Sequence, residues 1–529
     1  MKNKQIIKLK KKKINFETIF IRSISIIAIL ISVGICCLNF CITAYFDVPH
    51  NQYSENITYR FDNIFINLLL LPLAFGVLYF IINLCKKIKV SKLLYIVLTI
   101  IFIFGIYYVN CVKAPARADS WFIGDIAREF NEGDFSQLSP GSYLYMHPLQ
   151  LGVIYYTQLI FKFFNTSNIL AFQNFNALIT ILCFFILFKI TNYIFKNEKI
   201  NKIICFLMLG FIVLPFYNIL VYGNFPGLLF ALIAILYTLK YLDTHNLKNL
   251  IILVLSISIS IALKSNYLVY LIGILITLFF DLFKNFKKKT IIGMALCLII
   301  YFSSQPLFVA YIENISGRNL DDGVPMIGYI YMGLHERGDN TRRSGWYLNT
   351  DNVEDIYLKH NMDTEKTAEY EFNYLKNRLV QMICSPIDTI KFFGDKIASM
   401  WAEPSLQSIW TAEPAEKYKE TEDYISDKKL LISFFDGKLN KVVIKYLDIY
   451  EMLIFTSSLF YICTNFKKID RKIFILILIF FGGFTFHMIW EAKSVYVIPF
   501  YILFLPIAAA GLNEIFEKIN LKLKGQKNG

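Results

Sequence analysis

Two apolar runs joined by a short basic connection decide the fold: YLVYLIGILITLFFDLFK at residues 267–284, NFKKK at 285–289 and TIIGMALCLIIYFSSQPLFVAY at 290–311. Each run has roughly the 20 residues that an α-helix needs to cross the hydrocarbon core of a bilayer. Backbone groups inside a bilayer must be hydrogen-bonded within their own segment, so such runs form helices. This stretch is therefore predicted to cross a membrane twice.

Runs of this kind recur through all 529 residues, of which 56% are hydrophobic and only 18% are charged, against about 25% charged residues in typical soluble domains. That composition excludes a disordered chain, a collagen and a soluble nucleic-acid-binding protein with a basic surface. The sequence predicts an all-α polytopic membrane protein with about 12 transmembrane helices, at residues 18–43, 63–84, 93–112, 168–194, 203–220, 225–242, 248–263, 267–284, 290–311, 446–465, 472–489 and 494–513.

Basic residues predict the orientation, because Lys and Arg accumulate in cytoplasmic loops. Alternate connections are basic: 30 Lys and Arg residues lie on the side of the N-terminus and 7 lie in short loops on the opposite side. The other 17 lie in one loop that is too long to obey the rule. We therefore expect a multi-pass protein of the cell membrane, with both termini in the cytoplasm.

The run PLQLGVIYYTQLIFKFF at residues 148–164 is apolar enough to be a further span. As a span it would invert every later loop and place the basic connection at residues 196–202 outside. We therefore predict an interfacial helix on the outer face, where Tyr155, Tyr156 and Lys162 suit the headgroup region.

A change in charge marks an extracytoplasmic domain. Residues 312–445 carry 22 acidic and 17 basic residues, whereas the whole chain has a net charge of +14. The prediction for this part is a domain of mixed secondary structure. The chain then divides into a Lys-rich tail with three spans (1–112), a first outer loop (113–167), a transmembrane core (168–311), the extracytoplasmic domain (312–445) and three last spans with a basic tail (446–529).

The first outer loop holds the strongest candidate for a catalytic group. It reads ADSWFIGDIAREFNEGDFSQLSPGSYLYMHPLQLGV at residues 118–153, and the helical periodicity begins after Asp119 and stops at Gly133. An acid at the start of a helix on the membrane surface could act as a general base. It could equally be a helix N-cap, a position that Asp favours. The sequence leaves both interpretations open.

Three cations lie at the same predicted face. Lys264 ends a span, Arg117 precedes Asp119 by two residues, and Lys493 follows the eleventh span. Cations at a membrane surface suit a phosphate group. Alternatively, each of these three side chains simply extends its charged end to the membrane interface and binds no ligand.

Other polar groups gather at this face, at His147, Tyr222, Asn224, Glu491 and Tyr496. The span interiors hold almost no acids, although ion-coupled transporters usually need them. No GxxxxGK[ST], HExxH or GxSxG sequence stands in a suitable context. The pattern favours chemistry at the outer surface on a molecule anchored in lipid.

At this point the chain resembles the GT-C superfamily of membrane glycosyltransferases, in particular bacterial members similar to protein O-mannosyltransferases and the aminoarabinose lipid A transferase. Four ordered elements carry the resemblance: ADSWF around Asp119, MHPLQLG at 146–152, YGNFP at 222–226 and WEAKSVYVIP at 490–499. Asn224 stands where relatives have an acid, and Val495 stands where Arg is usual.

The resemblance implies a transfer of a sugar, with inversion, from a polyprenyl-phosphate donor to a cell-envelope glycan or protein on the outer face. Asp119 would be the general base, and Lys264, Arg117 and Lys493 would bind the donor phosphate. The acceptor and the sugar would be held by His147, Tyr222, Asn224, Glu491 and Tyr496. No metal ligand is assigned, and a divalent metal is left open as a cofactor.

Other functions stay open from the sequence. A polysaccharide polymerase or ligase also uses lipid-linked glycans, and commonly depends on Arg and His in outer loops. A transporter of lipid-linked glycans would need a polar path across the bundle. A cell-envelope scaffold without enzymatic activity would tolerate the loss of both Asp119 and Lys264.

Overall fold

The computed structural model describes residues 16–46, 55–336, 343–412 and 429–525. The first part contains two strands and thirteen helices: α1 (Phe16–Cys41), β1 (Ile42–Phe46), β2 (Ile57–Phe61), α2 (Ile64–Leu84), α3 (Val90–Val112), α4 (Asp119–Glu132), α5 (Tyr143–Met146), α6 (Leu151–Phe164), α7 (Ile169–Phe195), α8 (Glu198–Gly210), α9 (Val213–Phe216), α10 (Asn224–Thr244), α11 (Leu247–Leu263), α12 (Leu268–Lys284) and α13 (Lys288–Ser316).

The second part continues with α14 (Ile327–Leu334), α15 (Val353–Lys359), α16 (Thr364–Cys384), α17 (Pro386–Trp401), α18 (Ser408–Ala412), α19 (Lys429–Asp436), α20 (Lys438–Asn465), α21 (Arg471–Ile489), α22 (Ile498–Tyr501) and α23 (Phe504–Gly525). Within the described residues, ten helices are long and apolar enough to cross a membrane. An eleventh span is the pair Ser494–Tyr501 and Phe504–Lys522, which is bent by 56°. The twelfth predicted span is α11, which has only 17 residues.

One predicted span, 203–220, is interrupted. Its helix α8 ends at Gly210, and a short helix resumes at Val213. Pro215 explains the break, because its ring would clash with the carbonyl group of Phe211 in a continuous helix and it has no N–H to donate.

The connections that were predicted to share the cytoplasmic side meet at one end of the bundle. There the carboxylate of Asp281 lies 2.7 Å from His245 and 3.0 Å from Arg471, and Arg471 also pairs with Glu17. We call these four residues the ion-pair end. The Lys-rich residues 2–13 lie outside the described part of the chain. The compartment that each end faces stays a prediction.

The structure adds a hairpin that the sequence interpretation missed. Strands β1 and β2 pair antiparallel, with Ile42 opposite Phe61 and Phe46 opposite Ile57. Their sequences, ITAYF and ITYRF, are rich in β-branched and aromatic residues, which favour strands. The strand pattern of β1 could not be recognised in the sequence because β1 directly follows an apolar helix. The N–H of Ala44 donates to the carbonyl of Ala402, so the hairpin contacts the 312–445 region.

Residues 113–167 form three helices, α4, α5 and α6, and none of them is long enough to cross a bilayer. Helix α4 buries Ile123, Ile126 and Phe130, and packs on α6. Helix α6 has 14 residues and also contacts α7, α11 and α13. These two helices and the turns before α6 cover one end of the bundle.

The 312–445 region, which was predicted to be an extracytoplasmic domain of mixed secondary structure, has a different structure. Its described residues, within 312–336, 343–412 and 429–445, form helices and no strand. The helices α13 and α20 extend into it from the bundle, past the predicted limits at 312 and 445. It is also not separate from the bundle, because Trp401 at the end of α17 is 1% exposed and packs against Phe455, Phe480 and Phe484.

Candidate active site

A cavity of about 270 Å³ lies at the end of the bundle opposite the ion-pair end. Its floor comes from the turns between spans, one wall comes from the start of α4, and its cover comes from helices of the 312–445 region. We call this region the cavity end. Seven of the nine residues that the sequence singled out line it: Asp119, His147, Tyr222, Lys264, Glu491, Lys493 and Tyr496.

Asp119 is the first residue of α4, and it does not cap the helix. The N-cap position is Ala118, with φ 47° and ψ −134°, and no side chain accepts a hydrogen bond from the helix N-terminus there. A positive φ is uncommon for alanine, so this turn is strained. The carboxylate of Asp119 is exposed to the cavity. Its negative charge is stabilised by the dipole of α4. The N-cap interpretation is therefore wrong.

The hydroxyl of Tyr222 links Asp119 to two other groups. It accepts hydrogen bonds from Gln150 Nε2 at 2.7 Å and from Lys264 Nζ at 3.1 Å. It lies 3.3 Å from Asp119 Oδ2, to which it donates. A phenol has a single proton, so two donors on its oxygen leave that proton for the carboxylate. The network fixes one oxygen of Asp119 and leaves the other for a ligand.

Two glycines explain why these turns can approach each other. A Cβ on Gly223 would lie 1.8 Å from the carbonyl oxygen of Leu263, and one on Gly152 would lie 1.9 Å from that of Ala262. Only glycine allows such close contact between backbones. The end of α11 therefore packs directly against both the Tyr222 turn and the start of α6, which brings Lys264 beside Tyr222.

Lys264 is half-buried, and its ammonium lies 4.3 Å from the ring centroid of Tyr222. Burial lowers the pKa of Lys264 to about 8, although the carboxylates of Asp119 and Glu491 oppose this shift. The side chain is thus still mostly charged at neutral pH. A cation with few neighbours of its own in a partly dry site is well suited to a phosphate oxygen.

The segment 490–496 supplies the opposite wall. Lys493 Nζ lies 3.4 Å from Glu55 and 3.8 Å from Glu491, and the Tyr496 hydroxyl donates to Glu491 at 3.2 Å. Burial raises the pKa of Glu491, and the nearby charge of Lys493 opposes the shift. Trp490 stacks on Tyr329 with the ring centroids 5.5 Å apart, so an aromatic surface lies beside these charges.

The cover holds a carboxylate that the sequence did not single out. Glu354 lies 3.0 Å from His147 Nε2 and accepts a hydrogen bond from the Tyr347 hydroxyl at 2.9 Å. The pKa of Glu354 is lowered. Burial acts to raise it, but the hydrogen bond and charge of His147, together with the hydrogen bond from Tyr347, outweigh the effect of burial. His147 is thereby held against the 312–445 region.

A buried lysine holds the 490–496 segment in place. Lys396 is 0% exposed, and its ammonium donates to the carbonyls of Gly333 at 2.6 Å, Trp490 at 2.7 Å and Met488 at 3.1 Å. These three acceptors satisfy all three protons of the ammonium. The position of Trp490, and of the charged residues after it, thus depends on α17.

Arg117 and Asn224 do not line the cavity, which corrects the site predicted from the sequence. The Arg117 guanidinium is buried, donates to the Trp410 carbonyl and lies 4.5 Å from the ring centroid of Trp410. Asn224 begins α10 and lines a small neighbouring pocket together with Lys264 and Tyr496. Arg117 therefore supports a wall residue, since Trp410 itself faces the cavity.

The cavity residues that sequence reasoning missed include Glu55, Tyr329, Tyr347, Glu354 and Trp410. These five lie outside the quoted sequence elements, and four of them come from the 312–445 region, whose fold could not be predicted. As for metals, no three His, Cys, Asp or Glu side chains in the described part of the chain are grouped so that they could hold an ion.

Comparison with known proteins gives one family. Residues 146–305 match the family model described as dolichyl-phosphate-mannose-protein mannosyltransferase. The matched stretch begins just before His147 and contains Tyr222 and Lys264, whereas Asp119 and the 490–496 segment lie outside it. No curated protein matches the chain.

Two solved structures are similar. One is the archaeal oligosaccharyltransferase AglB from Archaeoglobus fulgidus in complex with an inhibitory peptide and a dolichol-phosphate, at 13% identity, with 84% of this chain and 52% of that chain covered and a TM-score of 0.41. The other is the oligosaccharyltransferase of the same organism tethered to an acceptor peptide, at 12% identity, 81% and 50% coverage and a TM-score of 0.41. This chain spans about half the length of both. Through residues 146–305, the resemblance to the GT-C superfamily of membrane glycosyltransferases is confirmed.

Proposed function

We propose that the protein transfers a sugar from a polyprenyl-phosphate-linked donor to a cell-envelope glycan or protein at the outer face of the membrane. Asp119 is the general base. The observation that carries this proposal is the position of its carboxylate, which faces the cavity, is oriented by Tyr222 and lies at the same end as Lys264 and Lys493. The family match over residues 146–305 supports the reaction class.

The transfer is a single displacement. The acceptor hydroxyl oxygen forms a bond to the anomeric carbon, and its proton moves to the free oxygen of Asp119. The bond between the anomeric carbon and the phosphate oxygen breaks, and its electron pair leaves with the polyprenyl phosphate. Attack opposite to the leaving group inverts the anomeric carbon. A positioned base of this kind contributes about 10²- to 10⁴-fold to the rate.

The leaving phosphate needs cations more than it needs a proton donor, because it departs as a stable anion. Lys264 and Lys493 both line the cavity and supply this charge. Arg117 acts one step away, by holding Trp410 in the wall. This assignment replaces the direct phosphate contact expected of Arg117 from the sequence.

The size of the cavity supports a donor with a single sugar. Ligand pockets for drug-sized molecules have about 300–1,000 Å³, and this cavity of about 270 Å³ lies below that range. The stacked rings of Tyr329 and Trp490 offer an apolar surface for a sugar face. His147, Tyr222, Glu491 and Tyr496 are proposed to bind the sugar and acceptor hydroxyls, with Asn224 contributing from the neighbouring pocket.

The test uses membranes from cells that lack the protein, complemented with wild type or with Asp119→Asn at matched expression. We expect a polyprenyl-phosphate monosaccharide to accumulate in the deletion strain and in the Asp119→Asn strain, while a surface glycan or protein loses that sugar. Asp125→Asn is the matched control, because Asp125 lies on the same helix and pairs with Arg128 at its surface. It should complement fully.

Other outcomes separate the alternatives. Accumulation of lipid-linked oligosaccharides would indicate a polymerase or ligase. A donor that accumulates only on the cytoplasmic side would indicate a transporter. Full complementation by Asp119→Asn would reject the catalytic assignment, and full complementation by Asp119→Asn combined with Lys264→Ala would indicate a scaffold.

A further inference from the structure

An apolar groove of about 700 Å³ runs along the side of the bundle, away from the candidate active site. Its walls are one face of α2, the end of α8 and the first turns of α20. The α2 side contributes Leu70, Leu73, Ala74, Val77, Leu78 and Ile81, which recur with helical spacing. Only 11% of the most apolar stretch of α2 is buried against the rest of the protein, so most of this helix is exposed on the side of the bundle.

The two tyrosines that line the groove are hydrogen-bonded to the protein. Tyr446 and Tyr450 of α20 line it, and their hydroxyls donate to the carbonyls of Gly210 and Leu207 at 2.8 Å and 2.7 Å. Those carbonyls belong to the last turn of α8, where they also accept hydrogen bonds from the backbone N–H groups of Phe211 and Ile212. Apart from Lys441 and Lys445 in the first turns of α20, the other side chains that line the groove are apolar, so the groove suits an aliphatic chain.

The groove adjoins a polar cleft of about 560 Å³. Lys441, in the first turn of α20, borders both. The cleft is also lined by Arg60 and Lys438. Lys445 nearby is neutralised, because it lies 2.6 Å from Asp448 and 3.4 Å from Asp62. Among the residues that the structure describes, the exposed Lys441 and Lys438 form no ion pair, and Arg60 lies 3.9 Å from Asp62. The described lining of the cleft is positive on balance, with three basic residues and one acid, Glu403.

The acid in the cleft wall does not cancel this charge. Glu403 is 0% exposed, and its carboxylate accepts hydrogen bonds from Ser405, from the Gln407 N–H at 2.5 Å and from Ser494 at 2.9 Å. Burial raises the pKa of Glu403 to about 7, and these hydrogen bonds oppose the shift. Its oxygens point into the protein rather than towards Lys441.

We propose that an anionic membrane phospholipid binds here, with its phosphate at Lys441, Arg60 and Lys438 and an acyl chain in the groove between α2 and α20. The site is separate from the candidate active site. Trp410 stands between the cleft and the cavity, is 7% exposed and is covered by Arg117. A phosphate held at Lys441 is therefore screened from Asp119, which argues against the sugar donor as the occupant.

The test needs no sugar substrate. The full chain is purified in detergent, stripped of lipid and titrated with mixed micelles that contain phosphatidylglycerol or phosphatidylcholine. Binding is followed by thermal unfolding and by native mass spectrometry. We expect one tightly retained phosphatidylglycerol and at least tenfold weaker retention of phosphatidylcholine. Lys441→Gln should weaken phosphatidylglycerol binding about fivefold, since a basic residue near lipid headgroups contributes about 1 kcal/mol.

The role of the groove in binding the acyl chain is tested with substitutions in α2. Leu73→Trp fills it, whereas Leu68→Trp changes a leucine on the far side of α2 with a matched exposure, 57% against 56%. We expect Leu73→Trp to abolish retention and Leu68→Trp to keep it. Lys162→Gln is the control for charge, because Lys162 is exposed and does not border the groove or the cleft.

Three results would overturn the proposal: equal retention of both lipids, Leu73→Trp behaving like Leu68→Trp, or an equal thermal shift with inorganic phosphate alone. Retention of a polyprenyl phosphate in preference to phosphatidylglycerol would also overturn it, and would make the groove a site for the carrier lipid. Because the readouts are binding and unfolding, failure of the proposed transferase activity leaves this test intact.

Discussion

Both ends of the bundle hold charged residues, but the charges at one end are paired with each other and those at the other end face a cavity. At the ion-pair end, the Asp281 carboxylate is 1% exposed and accepts from Arg471, His245 and Asn285. Arg471 in turn bonds to Glu17 and to the carbonyl of Phe280. At the cavity end, Asp119 has one oxygen on Tyr222, and Lys264 donates to the same hydroxyl.

The difference separates charges that hold helices from charges that face a ligand. A buried ion pair with all its hydrogen bonds satisfied stabilises one arrangement of the helices, and breaking it is costly. A charge that borders a cavity with an unused acceptor or donor adds little to folding, but it is ready for a substrate. Substitutions at the two ends should therefore affect different measurements.

The largest expected effect is on stability at the ion-pair end. Arg471→Met leaves Glu17 and Asp281 without their main partner, and removing one member of a buried pair costs about 3–5 kcal/mol. We expect a large fall in the unfolding temperature in detergent, with unchanged transfer activity per folded molecule. Arg128→Met, at an exposed pair, is the control and should cost under about 1 kcal/mol. Equal losses in both variants would contradict the comparison.

The next effect is on activity at the cavity end. Lys264→Met should lower the rate of sugar transfer about 100-fold, as expected for the loss of a group that stabilises transition-state charge, without lowering the unfolding temperature. The wild-type kcat/KM should fall as the pH rises through about 8, because Lys264 then loses its charge. Lys264→Arg stays charged and should not show that fall. A wild-type profile that is flat up to pH 9.5 would rule out this role.

A smaller expected effect, on stability, concerns Glu371, a buried acid whose carboxylate accepts no hydrogen bond within the described structure. Glu371 is 0% exposed, and neither carboxylate oxygen has a hydrogen-bond partner in the described structure. Burial raises the pKa of Glu371 to about 8, so the wild type should lose stability as the pH rises from about 4.5 to 8 and should level off above that.

Glu371→Gln should lack this slope and should be more stable than wild type by about 2 kcal/mol at pH 8, with the gap closing towards pH 5. Unfolding temperatures at both pH values measure the effect. Glu369→Gln, exposed on the same helix, is the control and should follow the wild type. A gap that does not depend on pH would show that Glu371 is ionised in the folded protein.

The smallest expected effect concerns Tyr222. Tyr222→Phe keeps the ring beside Lys264 but removes the hydroxyl that orients Asp119, which should cost about 1.4 kcal/mol, or a tenfold lower kcat, with little change in KM. Tyr155→Phe, whose hydroxyl donates to Phe308 outside the cavity, should keep full activity. A change in KM alone would indicate that Tyr222 binds substrate and does not position the base.

Much of the fold follows from the sequence because length and apolarity alone specify a helix in a bilayer. The twelve predicted spans correspond to ten long helices, one bent pair and the short α11 among the described residues. The hairpin was not predicted because β1 continues an apolar run without a break in composition. The helices of the 312–445 region were not predicted because their burial depends on contacts with the bundle, such as those of Trp401.

The candidate site was predicted in part for a similar reason. Residues at the ends of spans share a face once the topology is known, and that is sufficient to group Asp119, Tyr222, Lys264 and Glu491. Arg117 was misplaced, because the direction of a side chain depends on a distant partner, Trp410. Glu354 was missed, because nothing in its local sequence places it above His147.

The ion pair between Lys493 and Glu55 has a consequence for the order of assembly. These residues are more than 400 positions apart, so the wall that they form closes the longest loop among the residues that line the cavity. Such contacts form late, because the entropy of loop closure must be overcome first. During synthesis the early spans enter the membrane with Glu55 and Asp119 still lacking their final wall. Activity should therefore appear only after the spans around Lys493 have inserted.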